Sequence, residues 1–347
     1  MTTGNRKILI TGGAGFIGTN FARHFGKNNR IVILDNLSRK GTDINLQFVH
    51  KNLNAEFINA DISDASVKYL LLEKHPDVDV IIHLASQVAV TTSVIDPQND
   101  FNVNLIGTFN MLEYARGLTK KPVFLFSSTN KVYGALEANK TSEKELRYEF
   151  IDSPEGVDES APLDFHSPYG CSKGGADQYV RDYHRIYGIP TVVFRQSCIY
   201  GENQYGVEDQ GWLAWFLIAG ILGKDVYLYG NGKQVRDVLH VTDLADAFDR
   251  AIENIDRVKG EIFNIGGGPK NSVSILELLL FMENKLRISI KPGKREIRAG
   301  DQKIFISDNA KISRILGWKP TTDFETGIVQ LHSWLLENME TVKRIIS

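Results

Sequence analysis

The chain has little net charge, few cysteines and no long apolar run. Its 40 Lys and Arg residues nearly balance 42 Asp and Glu, and a formal net charge of −2 gives no global field for nucleic acid or an anionic membrane. No apolar run approaches the ~18 residues that would cross a bilayer. The first residues lack the apolar core and cleavage site of a signal peptide. We therefore expect a cytoplasmic protein with no nucleic-acid or membrane partner, in which a local pocket must hold any anionic ligand.

Cysteine is scarce as well. Among 347 residues there are two, Cys171 and Cys198. This number excludes a disulfide scaffold and favours a reducing compartment. Neither cysteine has the CxxC or Cys/His spacing of a zinc site, so we expect no structural metal.

What the chain does have is a regular alternation of β-branched runs and helical patterns. Runs such as Val80–Leu84 are apolar throughout, as expected of a parallel strand covered on both faces. Alternating βα units predict an α/β fold, a Rossmann-type doubly wound parallel sheet with a smaller mixed α/β substrate-binding lobe. The predicted strands are Lys7–Thr11, Ile31–Asp35, Ala55–Asn59, Val80–Leu84, Val123–Ser127, Thr191–Arg195 and Glu261–Ile265, with helices around Gly18–Asn28, Asn104–Leu118 and Lys173–Tyr187.

The same pattern suggests a division into two units. Residues 1–197 and 234–268 are predicted to form the dinucleotide-binding domain, and residues 198–233 and 269–347 the second lobe. Residues 135–165 are polar and irregular, and we interpret them as an inserted loop region. A loop of this length in a compact domain is usually functional or faces a partner.

A glycine-rich turn follows the first predicted strand. Gly12 permits a tight turn, Gly15 lets backbone approach a pyrophosphate, and Gly18 lets the helix pack closely on the strand. The helix that begins there offers amide N–H groups to phosphate. Asp35 ends the second strand at about the offset of a ribose-binding acid, and it would repel a 2′-phosphate. These features predict a dinucleotide, NAD rather than NADP, although Arg39 and Lys40 nearby would soften that repulsion. Asp61 and Ile62, after the third strand, are expected near the adenine.

Three side chains further along the chain form a proton-handling set. Tyr169 and Lys173 lie one turn apart on one face of a predicted helix. A free tyrosine has a pKa of about 10, and a nearby ammonium is expected to lower it so that Tyr169 accepts a proton from a sugar hydroxyl. Thr129, at the end of the fifth strand, is placed to hydrogen-bond the same hydroxyl and relay its proton.

These residues resemble the extended short-chain dehydrogenase/reductase superfamily, specifically its nucleotide-sugar epimerases and dehydratases. The resemblance includes the glycine turn, His83-Leu84-Ala85, the Ser127–Thr129 strand end and the Tyr169/Lys173 pair. It continues through Arg236–His240 and Arg298–Asp301. It implies a tightly bound, recycled NAD held by Gly12, Gly15, Phe16, Ile17, Gly18, Asp35, Asn36, Ser38, Arg39, Asp61, Ile62, Leu84, Ala85, Ser86, Asn104, Ser127, Ser128, Tyr169, Lys173 and Gln196.

The substrate side follows from the same resemblance. Residues matching Arg236 and Arg298 grip the diphosphate of a sugar nucleotide, in keeping with the fit of guanidinium to phosphate. An asparagine that contacts phosphate in the 4-epimerases falls at Cys198 here, so that contact must come from elsewhere. The expected substrate contacts are Gln87, Ser128, Thr129, Asn130, His166, Cys198, Gln210, Arg236, Arg298 and Asp301. A homodimer or homotetramer is also expected, with the insertion as a candidate interface.

The residues after Thr129 separate the possible reactions. Sugar 4,6-dehydratases carry Thr-Asp-Glu where this chain has Thr129-Asn130-Lys131, so the carboxyls that eliminate water are missing. Longer strings, Ser127–Gly134, Asp164–Gly174 and Gly230–Asp237, are similar to the CDP-tyvelose (CDP-paratose) 2-epimerase family. That similarity implies oxidation at C2 of a CDP-linked deoxyhexose, rotation of the 2-keto sugar and hydride return from the other face. A C4 epimerase or a C2 epimerase of CDP-glucose or CDP-mannose, a nucleotide-sugar reductase and a non-catalytic NAD-binding scaffold stay open as alternatives.

Overall fold

The computed structural model describes residues 4–296 and 302–346. The strands are β1 Lys7–Thr11, β2 Arg30–Asp35, β3 Glu56–Asn59, β4 Val80–His83, β5 Val123–Thr129, β6 Thr141–Glu143, β7 Tyr148–Phe150, β8 Thr191–Gln196, β9 Cys198–Tyr200, β10 Tyr227–Tyr229, β11 Val235–His240, β12 Ile262–Ile265, β13 Ser272–Ser274, β14 Gly293–Arg295 and β15 Ile304–Phe305. The helices are α1 Phe16–Phe25, α2 Thr42–Asn52, α3 Val67–Lys74, α4 Val90–Ile95, α5 Pro97–Phe101, α6 Gly107–Gly117, α7 Ser167–Tyr187, α8 Trp212–Leu222, α9 Val241–Glu253, α10 Ile255–Val258, α11 Ile275–Phe281, α12 Ala310–Leu316, α13 Phe324–Glu337 and α14 Met339–Ile346.

The predicted strands all form, and they lie in one sheet. It has 7 strands in the order β3-β2-β1-β4-β5-β8-β12, and every neighbouring pair is parallel. Successive side chains of β1 enter different cores: Ile8 and Ile10 pack with α1 and α9, and Leu9 packs with α3 and α6. This two-residue alternation is the pleat of a strand buried on both faces. The doubly wound Rossmann-type fold is thus confirmed.

A smaller sheet builds the second lobe. β11 pairs with β9, β13 and β15, and the lobe has its own apolar core formed largely by α8, α11 and α13. The division of the chain into two units stays a prediction. One observation bears on its boundary: Val235–His240, assigned from sequence to the first unit, pairs with strands of the second lobe.

The insertion at residues 135–165 packs against the second lobe. It contains the β6–β7 hairpin, and Val157 pairs with Ser307. Val157 is buried in a cluster with Tyr133 and Phe305. The segment therefore has a packed inner side, and its suggested role as a subunit interface stays a prediction.

The strand order places a crevice at the middle of the large sheet. From β1 the chain builds outward through β2 and β3, then returns to β4 on the other side of β1. In open α/β sheets ligands bind outside the carboxyl ends of the strands at such a reversal. Among the residues described, none of the helices combines the length and apolarity needed to span a membrane.

Candidate active site

A cleft of about 810 Å³ opens at this reversal, between the large sheet and the second lobe. Its volume lies within the range of roughly 300–1,000 Å³ typical of small-molecule sites. Most of the residues predicted to bind a ligand line it: Gly12, Gly15, Phe16, Ile17, Gly18, Asp35, Asn36, Ser38, Arg39, Asp61, Ile62, Leu84, Ala85, Ser86, Gln87, Ser127, Ser128, Thr129, Tyr169, Lys173, Gln196, Cys198 and Gln210.

The glycine turn forms the floor of the cleft beside α1. Gly12 has φ of +68°, and a Cβ there would lie 2.7 Å from the amide nitrogen of Ala85. A Cβ on Gly18 would lie 2.3 Å from the carbonyl oxygen of Gly12. The turn therefore accepts no side chain at either position. Because α1 begins at Phe16, its first amide groups are available to an anion at this place.

The carboxylate of Asp35 joins the end of β2 to this turn. It accepts hydrogen bonds from the backbone N–H of Ala14 (3.1 Å) and Leu37 (2.9 Å). Burial raises the pKa of Asp35, and those two bonds partly offset the effect. Arg39 extends across the cleft to the side chain of Gln210 on the second lobe. The acid expected at the ribose thus stands at the cleft wall, beside the turn expected to hold the phosphates.

The three proton-handling side chains meet at the other end of the cleft. Thr129 ends β5, and its hydroxyl is hydrogen-bonded to the phenol of Tyr169 on α7. Lys173 lies one turn further along α7. Its Nζ donates to the carbonyl oxygen of Ser127 (2.6 Å) and lies 4.3 Å from the centre of the Phe126 ring. The geometry brings a phenol, a hydroxyl and an amine to one point of the cleft.

The pKa of Tyr169 shifts in the direction opposite to the one expected from the sequence. Burial raises the pKa of Tyr169 to about 12, although the hydrogen bond with Thr129 lowers it. Burial also lowers the pKa of Lys173 to about 7, against the attraction of Asp177 and Asp100. The expectation that the Lys173 ammonium lowers the pKa of Tyr169 below its ordinary value was wrong for this cleft. Burial disfavours the charged forms of both groups more than their neighbours favour them.

Asp100, which sequence reasoning missed, organises the wall next to this pair. The carboxylate has no exposed surface and accepts from Ser172 Oγ (2.5 Å), Gln87 Nε2 (3.1 Å) and Asn104 Nδ2 (3.1 Å). Asn104 in turn accepts from Ser86 Oγ (2.7 Å) and the backbone N–H of Gln87 (2.8 Å). Asn104 is 1% exposed and stands behind the cleft lining, where it orients residues that reach the cleft.

Asp177 forms a second buried network that sequence reasoning also missed. Its carboxylate pairs with the guanidinium of Arg195 through two contacts, Nε at 2.9 Å and Nη2 at 3.0 Å. Ser128 Oγ donates to the same carboxylate (2.7 Å). Asp177 lies four residues after Lys173 on α7, a spacing that could have indicated a pair on one helix face.

Other predicted substrate residues have different surroundings. Asn130 donates its amide to Gln302 Oε1 (3.2 Å), and Arg236 donates to the backbone oxygens of Val235 (2.7 Å) and Gln302 (2.6 Å). His166 pairs with Asp164 (3.0 Å). None of Asn130, His166 and Arg236 is part of the cleft lining formed by the described residues, and Arg298 and Asp301 lie outside those residues.

Four side-chain polar atoms in the cleft wall are buried and have no hydrogen-bond partner among the described residues. They are Gln196 Nε2, Asn45 Oδ1, Asn203 Nδ2 and Gln204 Oε1. Buried polar atoms in proteins are nearly always hydrogen-bonded, so these atoms need water or a ligand as their partner. The glycine turn and these amides together fit a dinucleotide. Within residues 4–296 and 302–346, no group of three or more His, Cys, Asp or Glu side chains could hold a metal ion.

Residues 9–331 match the family model described as GDP-mannose 4,6 dehydratase. The chain belongs to the GDP-mannose 4,6-dehydratase family. Its resemblance to the nucleotide-sugar epimerases and dehydratases of the extended short-chain dehydrogenase/reductase superfamily is thereby confirmed. The chain is 43% identical over 334 residues to the CDP-paratose 2-epimerase of Salmonella typhi. The aligned residues cover 94% of this chain and 98% of that protein.

Two solved structures show the same architecture. The UDP-glucose 4-epimerase of Thermotoga maritima, solved with UDP-glucose, has a TM-score of 0.82 at 29% identity and covers 96% of this chain and 99% of that one. The UDP-glucuronic acid 4-epimerase of Bacillus cereus, in complex with UDP-glucuronic acid and NAD, has a TM-score of 0.81 at 28% identity, covering 95% and 99%. Members of this fold family thus include epimerases as well as dehydratases.

Proposed function

We propose that the protein is an isomerase, an NAD-dependent epimerase that inverts C2 of a CDP-linked deoxyhexose, as in the conversion of CDP-paratose to CDP-tyvelose. The observation that carries the proposal is the meeting of Thr129, Tyr169 and Lys173 in one cleft whose neighbouring positions, Asn130 and Lys131, offer no carboxyl. The name of the Salmonella typhi relative, at 43% identity over nearly its whole length, supports C2 as the carbon and CDP as the nucleotide.

NAD is the cofactor that these residues would hold. Gly15 admits its diphosphate to the backbone, and Gly12 and Gly18 allow the tight turn and the close packing of α1. Asp35 stands where the adenosine ribose would lie. Gln196, beside Thr129 in the strand register, carries one of the unpartnered amide nitrogens. When bound, oxidised NAD would supply the hydride acceptor, the later hydride donor and a positive charge near Tyr169. We propose that it stays bound and is recycled, because the reaction is redox-neutral.

The protein's own groups handle the proton and the sugar. Tyr169 takes the proton of the C2 hydroxyl as hydride leaves that carbon, and Thr129 holds the same hydroxyl. A phenol with a pKa of about 12 is almost fully protonated at neutral pH, so its action as a base depends on positive charge nearby. We propose that the Lys173 ammonium contributes to that charge. After the 2-keto sugar turns its other face, Tyr169 returns the proton.

The substrate contacts proposed from sequence are supported to different degrees. Gln87, Cys198 and Gln210 line the cleft, as do Ser128 and Thr129. Burial raises the pKa of the Cys198 thiol, and the nearly buried Arg236 is near enough to offset part of that rise. A diphosphate grip by the Arg236 guanidinium stays a prediction. The same holds for Asn130, His166, Arg298 and Asp301.

The expected cytoplasmic location, homo-oligomeric state and role in lipopolysaccharide O-antigen synthesis also stay predictions. The last of these is implied only by the resemblance to the CDP-tyvelose 2-epimerase family. A second candidate, inversion at C4 of another nucleotide-linked hexose, is favoured by one finding: both solved structures described above are named 4-epimerases.

The test is to incubate the purified protein alone with a panel of nucleotide sugars and identify the products by NMR. We expect CDP-paratose and CDP-tyvelose to interconvert with no net change in NADH absorbance, and no deuterium to enter C2 in deuterated water. Product inverted at C4 would favour the second candidate, and stoichiometric consumption of added NADH would indicate a reductase. Bound dinucleotide without turnover of any substrate would indicate a scaffold.

A further inference from the structure

One segment of the second lobe, residues 202–210, lies against the dinucleotide-binding half of the cleft; we call it the strap. Its first residue, Glu202, is held by α1. Asn20 Nδ2 donates to the Glu202 carbonyl oxygen (2.8 Å), and Arg23 Nη1 donates to the Glu202 carboxylate (2.7 Å). Asn20 and Arg23 follow the glycine turn within two turns of helix. The strap therefore begins over the helix whose N-terminus faces the expected diphosphate.

The strap is held at two further places. Asn45, in the first turn of α2, donates its amide to the carbonyl oxygen of Asn203 (3.3 Å). Arg39, between β2 and α2, hydrogen-bonds the side chain of Gln210 at the other end of the strap. Side chains from α1, from α2 and from the connection between β2 and α2 thus all grip one short segment of the other lobe.

Three side chains, one on α2 and two on the strap, have a polar atom with no partner within residues 4–296 and 302–346. Asn45 Oδ1, Asn203 Nδ2 and Gln204 Oε1 are buried in side chains that are 3%, 3% and 8% exposed. All three residues line the cleft, and none was identified from the sequence. The other amide atoms of Asn45 and Gln204 are hydrogen-bonded to the backbone oxygens of Asn203 and Ile199, which fixes their orientation. All three amides are nearly buried, and two of them, Asn45 and Gln204, are held in one orientation while their carbonyl oxygens stay unsatisfied.

The chemistry of these atoms limits the ligand. Two carbonyl oxygens accept hydrogen bonds and suit hydroxyl donors, whereas the amide nitrogen of Asn203 donates and suits a phosphate oxygen. A ribose next to a diphosphate offers both. The place of the three amides in the fold agrees with such a ligand. The strap contacts α1, which follows the glycine turn expected at the diphosphate, and α2, which follows Asp35, the acid expected at the ribose.

We propose that Asn45, Asn203 and Gln204 bind the ribosyl diphosphate part of the dinucleotide, and that the strap retains the cofactor between turnovers. The proposal rests on the proposed use of NAD. It explains why the second lobe contributes to the cofactor half of the cleft as well as to the sugar half. A dinucleotide held in this way leaves when the contacts of the strap with α1, α2 and Arg39 open.

The test measures how fast the dinucleotide leaves. Protein loaded with isotope-labelled NAD is chased with excess unlabelled NAD in the wild type and in the variants Asn203→Leu and Gln204→Met. The matched control is Asn52→Leu, a change at an exposed amide on α2 outside the cleft. Loss of one hydrogen bond is expected to speed release about five- to tenfold in each cleft variant. Release as slow as in the Asn52→Leu control would show that the amides are satisfied by water and would overturn the proposal.

A second measurement guards against general damage to the fold. Affinities for ADP-ribose and for adenosine are compared by calorimetry. We expect Asn203→Leu to weaken ADP-ribose and leave adenosine unchanged, because the Asn203 amide donates to a phosphate oxygen and adenosine has no phosphate. Gln204→Met is expected to weaken both probes, because both carry the ribose whose hydroxyl donates to the Gln204 carbonyl oxygen. Equal weakening of both probes by Asn203→Leu would overturn the assignment. If the wild type releases the dinucleotide slowly and depends on the strap for this, but epimerises no substrate, the proposed function is wrong and the strap proposal stands. If the wild type binds no dinucleotide, both proposals are wrong.

Discussion

Replacing Tyr169 by Phe removes one oxygen atom from the cleft and keeps a ring of the same shape. Tyr169 is 8% exposed, and its backbone N–H donates to Ser93 Oγ (3.2 Å), a contact that the substitution leaves intact. What disappears is the phenol and its hydrogen bond with Thr129. Loss of that bond changes the free energy of unfolding by about 1 kcal/mol. Loss of the proton acceptor is expected to lower kcat by about 10²–10⁴-fold, equivalent to roughly 3–5.5 kcal/mol of activation free energy.

The assay follows C2 inversion by NMR at saturating substrate, together with thermal unfolding and the content of bound dinucleotide. Tyr114→Phe is the matched control, because Tyr114 is also buried and donates its hydroxyl to the carbonyl oxygen of His75 (2.6 Å) away from the cleft. We expect it to lose stability and keep its turnover. A kcat of Tyr169→Phe within threefold of the wild type, or an equal loss of kcat in the control, would refute proton transfer by Tyr169.

Three further changes probe other parts of the site. Gly18→Ala is expected to abolish dinucleotide retention, because the added Cβ would lie 2.3 Å from the Gly12 carbonyl oxygen; an unchanged dinucleotide content would contradict this. Asp100→Asn should displace the alkaline limb of the kcat/KM–pH profile to lower pH, because the Asp100 carboxylate raises the pKa of Lys173 and the ammonium is the active form. A limb that does not move would exclude that coupling. Arg236→Ala is expected to raise KM for the nucleotide sugar, and an unaltered KM in steady-state kinetics would end its assignment to the diphosphate.

The large sheet could be predicted because its strands are covered on both faces. Burial on two sides forces runs such as Val80–Ile82 to be apolar throughout, and glycine is required where φ is positive and backbone approaches backbone, as at Gly12. The second lobe was harder to divide from the first. Val235–His240 is buried throughout although it includes Arg236, Asp237 and His240, and its partners, β9, β13 and β15, are short and irregularly spaced in sequence. Pairing of this kind depends on tertiary contacts that local periodicity does not encode.

Prediction of the site from the sequence had a similar limit. Thr129, Tyr169 and Lys173 were found because their chemistry and spacing are characteristic. Asp100 and Asp177 were missed because a buried carboxylate has no local signature: each is identified by partners distant in sequence, such as Ser172 for Asp100. For the same reason the direction of the Tyr169 pKa was predicted wrongly. The number of neighbouring charges can be counted in a sequence, but the depth of burial that outweighs them cannot.

The strand end after Thr129 explains how a chain of a family described as dehydratases can carry out a different reaction. Oxidation of the sugar needs Thr129, Tyr169 and Lys173, whereas elimination of water needs an acid and a base in addition. In this chain Asn130 has an amide that bonds to Gln302, and Lys131 has a cation. An oxidised sugar in this cleft therefore meets no carboxyl at these two positions. Without elimination, the keto sugar is reduced again by return of the hydride. Return of the hydride to the opposite face of the sugar is epimerisation.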